Sequence, residues 1–152
     1  MAYAIDAFLG KPEVFRPLVR KYRSAAGVLL ADGLCLVPWL EALQTSIQDE
    51  RHDPVKDPTW PFWHLSRKGA NIVRETCSNG DMVYVEAQFF GGAGTQAGVG
   101  WRDGQIAHGP VMARDAINQA LRFLGVTAND GKDEFDTVGL GKHRSTEEWF
   151  EP

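Results

Sequence analysis

Excess basic charge is the first thing this 152-residue chain lacks: 16 Lys and Arg against 20 Asp and Glu leave a formal charge of −4. A general nucleic-acid binder or a protein that clings to anionic membranes needs a positive surface, so both classes are excluded, and a basic protein is the easier complement. Long apolar runs are missing too. The stretches at 27–31 and 34–40 are split by Asp32-Gly33, and each falls far short of the roughly 20 residues that cross a bilayer. The opening MAYAIDAFLGKPE has neither a basic start nor a cleavable apolar run, so no secretory signal is read and a cytoplasmic setting is expected. Cysteine is scarce: Cys35 and Cys77 sit in apolar or periodic segments, with no CxxC or Cys/His spacing, and read as buried reduced thiols.

Strong catalytic motifs are also lacking. No G-x-S-x-G elbow is present, and no Gly-Lys-Ser/Thr follows a glycine loop. GGAGTQAG at 91–98 suggests an anion-binding nest at first sight. Its spacing at Gly92, Gly94 and Gly98 is G-x-G-x-x-x-G, however, and β-like sequence follows where a dinucleotide site needs a helix. A bulged or closely packed strand connection fits better. His52, His64, His108 and His143 include no i,i+4 pair, so neither a metal nor any other cofactor is expected.

What the chain does have is enough apolar sequence, 43% with 24% charged, to build one ordinary domain. Helical spacing runs from Val14 to Tyr22, with Pro17 an awkward interior residue. Two short strands, Gly27–Ala31 and Leu34–Val37, flank the turn signal Asp32-Gly33. Pro38 then suits the first turn of a helix carrying Trp39, Leu40, Leu43 and Ile47. QDERHDPVKDPTW, from Gln48 to Trp60, reads as an exposed loop. Asp57-Pro58 reads as a helix start with Phe62, Leu65, Ile72, Val73 and Thr76 on one face, stopped at Ser78-Asn79-Gly80.

DMVYVEAQFF (81–90) is a strand by alternation, and a second hairpin closes near Asp103-Gly104. Arg114–Leu124 is a helix ended by Gly125. A short terminal helix begins at Ser145, with Glu148 completing a capping box. The order predicts a single α+β domain, residues 1–152, with helices packed on a mainly antiparallel sheet.

Two sets of side chains are candidates for function. Residues 1–24 carry +3, from five basic and two acidic residues, and residues 129–152 carry −4, from three basic and seven acidic. The acidic end, with Asp133, Glu134, Asp136, Glu147 and Glu148, suits docking to a basic protein. Trp60, beside Asp53 and Asp57, and Trp149 are the aromatic anchors expected to face that partner, because Trp pairs a large apolar area with an N–H. The second set is an alternative ligand or enzyme site around Glu86, Gly92, Gly94, Gln96, Arg102, His108 and the 133–136 segment.

YVEAQFFGGAGTQAGVGW (84–101), INQALRFLGV (117–126) and DEFDTVGLGKHRSTEEW (133–149) resemble a set of small uncharacterised bacterial proteins. In size, acidity and α+β make-up the chain also resembles immunity proteins of bacterial toxin systems. That resemblance implies a non-catalytic inhibitor that occludes a basic toxin domain with acidic and aromatic surface.

Overall fold

The alternation in DMVYVEAQFF becomes one of the two central strands of a sheet. The computed structural model describes residues 2–48, 59–90, 93–128 and 131–149. Within them, β1 (Ala2–Gly10), β2 (Val28–Leu29), β3 (Cys35–Pro38), β4 (Asp81–Phe90), β5 (Ala93–Arg102) and β6 (Gln105–Met112) form one antiparallel sheet in the order β2-β3-β1-β4-β5-β6. The helices are α1 (Pro12–Lys21), α2 (Glu41–Ile47), α3 (Arg67–Thr76), α4 (Ala116–Phe123) and α5 (Glu134–Val138). The domain is α+β, as its sequence predicts.

Period-2 patterning gives the sheet two buried faces. Phe8, Met82, Tyr84, Val99 and Trp101 look toward α1, α2 and α3, where Phe15, Leu18, Leu43 and Val73 meet them. Ile5, Leu9, Leu36, Val83 and Val85 look the other way, toward Ile117, Leu121, Val138 and Leu140 on or beside α4 and α5. Strands buried on both faces carry apolar residues at nearly every position. Within β4, Met82 to Ala87 are all buried.

The glycines of β5 serve this layering. Gly98 lies under α4, with the Ala116 carbonyl 3.4 Å and Ala120 Cβ 3.5 Å from where a Cβ would stand, and at Gly100 a Cβ would meet the Phe123 ring at 2.9 Å. Much of the glycine run is therefore strand that lets a helix approach, joined to β4 through residues 91–92, which lie outside the described residues. Both expected turns occur, in different forms: Asp103 and Gly104, with φ of 51° and 80°, are a two-residue turn between Arg102 and Gln105, whereas Asp32 and Gly33, with φ of 69° and 77°, belong to a three-residue 3-10 loop, Ala31–Gly33, between Leu30 and Leu34.

Several local expectations are corrected. β1 is a central strand that periodicity does not reveal. Pro38 ends β3 instead of opening a helix, and α2 starts only at Glu41. Phe62 and Leu65 are not helical: the helix begins at Arg67, where the Ser66 hydroxyl accepts the Gly69 N–H. The sequence also hides α5, whose N-cap is Asp133, and the terminal turn Thr146–Trp149 is 3-10. Cys35 and Cys77 are free and buried, as expected, and burial pushes the Cys77 thiol up to about 11. Among the described residues no helix is long and apolar enough to cross a membrane.

Candidate functional site

Among the described residues, the helical layer on the α1–α3 side stops short of one end of the sheet. Burial in β4 gives way after Ala87, with Gln88 and Phe90 exposed, and the facing start of β5, Ala93 to Thr95, is exposed as well. At the border stand Asp6 and Glu86, directly opposite each other in the β1–β4 register. Like charges facing across strands repel. The row continues through Ala97, paired with Glu86, to Met112 on β6.

Glu86 is 6% exposed and holds the segment that follows Thr59 onto the sheet. Its Oε1 accepts the Trp63 N–H at 2.7 Å, and its Oε2 accepts the His64 N–H at 2.9 Å and the Tyr84 hydroxyl at 2.6 Å. Burial and the facing Asp6 push the Glu86 carboxyl up to about 7, against the lowering effect of those three donors. The His64 Nδ1 lies 3.1 Å from the Asp6 Oδ1. A small pocket of about 30 Å³ opens here, lined by Asp6, His64 and Glu86, with Pro61, Trp63 and Met112 among its walls.

The rim of this pocket is apolar and open. Trp63, 54% exposed, and Met112, 57% exposed, line it, and Phe90, 80% exposed, lies four positions beyond Glu86 on the same face of β4. Exposed aromatics and methionine around a carboxylate floor are what an interface offers a partner, with rings for area and charge for orientation.

The expected aromatic anchors lie elsewhere. Trp60 is 1% exposed, its Nε1–H donating to the Leu65 carbonyl at 2.6 Å and its ring packed edge-on against Phe62. Trp149 is 5% exposed in the opposite core, edge-on to His143 at 4.6 Å. Neither presents an aromatic surface, because the short segments that carry them fold back onto the sheet. Asp53, Asp57 and Gly92 lie outside the described residues.

The acidic end is largely occupied within its own layer. The Asp133 carboxylate accepts the Asp136 N–H at 2.9 Å as the α5 N-cap and the Asn118 amide at 3.1 Å, which holds its carboxyl below the usual range. Glu134 is 3.6 Å from Arg122, a residue that also pairs with Asp115. The Glu148 Oε1 accepts from the Ser145 hydroxyl and the Arg144 N–H, not from the Ser145 N–H, and the Glu148 N–H donates to the Ser145 carbonyl, so the reciprocal capping box expected here does not form, while Asp136 and Glu147 are exposed.

The alternative ligand site does not converge. Glu86 faces the α1–α3 side, but its partner in β5 is Ala97, so Gln96 one position earlier points to the other face and its Oε1 accepts the Ile117 N–H of α4. Arg102 pairs with Asp81 at 3.0 Å and lies over Phe123, on which His108 also stacks. Gly94 sits against Phe89 in the hairpin. Of the described members of the expected set, only Glu86 lines the pocket.

Sequence reasoning missed Asp6, His64, Trp63 and Met112. No family model, no curated protein and no solved structure matches the chain. A functional reading therefore rests on these side chains and their arrangement.

Proposed function

We propose that the chain is a non-catalytic protein-binding domain that neutralises a cognate basic toxin domain, as an immunity protein does, by docking it on the uncovered end of the sheet. One observation carries this reading: Trp63 and Met112, both more than half exposed, line the pocket of the facing Asp6 and Glu86 carboxyls where the described helical layer ends, and the exposed Phe90 lies farther along the same face of β4. A monomer gains nothing from leaving three large apolar side chains in water beside an acidic floor, whereas a basic partner would cover the first and be oriented by the second. The formal charge of −4 favours the same partner by long-range attraction. An enzyme site around residues 91–98 and 133–136 would instead require side chains to converge that lie on different faces and layers of the fold.

The test is co-expression with the product of the adjoining reading frame. That product should arrest growth alone, and the chain should restore growth and co-purify with it in a salt-sensitive complex. A harmless neighbour, or rescue without a complex, overturns the reading.

A further inference from the structure

Asp6, His64 and Glu86 come from β1, from the segment before α3 and from β4, and one ligand atom of each lies within 4.8 Å of the other two. The geometry points to a divalent transition-metal site, of the class zinc occupies, made by the Asp6 and Glu86 carboxylates and the His64 imidazole. One nitrogen and two carboxylate oxygens match the borderline donor preference of such ions, and three protein ligands with a fourth position left for water is a common arrangement.

The chemistry of each donor fits. Glu86 Oε1 accepts one hydrogen bond, from the Trp63 N–H, and a carboxylate oxygen has a second lone pair to give. His64 Nδ1 already stands 3.1 Å from Asp6 Oδ1, a separation close to that of two ligands on one ion. Bonds of about 2.1 Å on a tetrahedral ion place donors about 3.4 Å apart. Closing the 4.8 Å spread needs side-chain adjustments of little more than about 1 Å. The pocket beside them, about 30 Å³, has room for one water-sized occupant.

A dication also answers the feature of this sheet that is hardest to explain otherwise, two carboxylates directly opposed on neighbouring strands with one of them buried. It would neutralise both and tie the backbone around Trp63 to β1 as well as to β4. The ion would thus fix the rim described above while cancelling the charge of the floor, so that a partner of the metal-loaded chain would be held by the apolar rim; the site stands whether or not a partner docks there.

The experiment is calorimetric titration of the full chain, stripped with a chelator, with zinc chloride, in parallel with Asp6→Asn, His64→Gln and the distant His143→Gln. The expected result is one equivalent per chain, weakened by more than about tenfold in Asp6→Asn and His64→Gln, a loss at least as large as removing a group that merely orients a ligand causes, and unchanged in His143→Gln. Cobalt(II) in place of zinc should give visible absorption bands that change in His64→Gln, a ring on a half-exposed side chain whose replacement leaves the cores intact. No saturable binding, or one equivalent retained by both pocket variants, overturns the site. Binding lost in His143→Gln would place the ion elsewhere and overturn it equally.

Discussion

Two tryptophans three positions apart should behave in opposite ways when truncated. Trp60 is 1% exposed, packs edge-on to Phe62 at 4.9 Å and donates its Nε1–H to the Leu65 carbonyl. Trp63 is 54% exposed and contributes its backbone N–H, rather than its ring, to the Glu86 bond. A buried aromatic removes on the order of 150–250 Å² from water, worth about 4–6 kcal/mol at 25 cal/mol/Å², and measured Trp-to-Ala losses run to about 3–5 kcal/mol. For Trp60→Ala the expected loss is therefore about 4 kcal/mol, which includes about 1 kcal/mol for leaving the Leu65 carbonyl without its donor. Trp63→Ala gives up only the covered half of a rim residue and keeps the amide, so about 2 kcal/mol, half the Trp60 loss, is expected. Urea unfolding followed by far-ultraviolet circular dichroism measures both, with equal m-values confirming that the denatured states are comparable. Equal losses for the two variants, or a loss below about 1 kcal/mol for Trp60→Ala, would refute the division into core and rim.

In the metal-free chain, the Glu86 carboxyl at about 7, against an ordinary value of 4.5, means the folded state holds its proton longer than the unfolded state does. Its contribution is then most favourable below pH 4.5 and is lost as pH rises to 7, a swing of about 3 kcal/mol at 1.36 kcal/mol per unit. Asp6→Asn removes the like charge but not the burial, so the carboxyl signal in a carbon-13 titration should move down while staying above the ordinary value; an unmoved midpoint would sink the cross-strand repulsion. Asp133→Ala takes away the α5 N-cap and the bond to Asn118, and thermal unfolding should record a loss of about 1 kcal/mol. At Gly94 a Cβ would meet the Gln88 carbonyl and the Phe89 backbone, so Gly94→Ala should destabilise the β4–β5 hairpin by about 1–3 kcal/mol, and faster amide exchange at Phe89 and Thr95 would locate the damage.

Elements with a strong propensity, a clean period or a demanding turn are legible from the residues. β4 is dense in β-branched and aromatic residues, α4 keeps Ile117, Ala120 and Leu121 on one face, and each Asp-Gly pair adopts positive φ in its turn. β1 is not legible, because, unlike the equally central β4, its Ala-rich sequence with Asp6 in the middle carries little β signal. That omission hides the site. Glu86 is visible as a strand-face carboxylate, yet its partners Asp6 and His64 reach it only through the β1–β4 pairing and the fold-back after Thr59. Helical His spacing tests pairs on one element and says nothing about donors gathered from three.

Trp60 draws attention through its polar neighbours. The exposed ring is Trp63, since the chain from Trp60 to Leu65 is irregular and alternates between core and rim without a helical period. The acidity of the C-terminal region is real as composition. Its carboxylates cap α5, meet Arg122 or close the turn at Ser145, and so lie less free than a charge count suggests.

The central claim, that the uncovered end of the sheet is the recognition face, is tested most directly by the affinity of the complex with the adjoining gene product for two sets of variants. Trp63→Ala combined with Phe90→Ala should weaken it by at least about 100-fold, the loss of two interface anchors worth about 1.4 kcal/mol or more each. Neutralising Asp133, Glu134 and Asp136 together should change it by less than about fivefold, about 1 kcal/mol. The reverse order, with the acidic set dominant and the rim pair silent, would contradict the account and return the docking surface to the C-terminal layer.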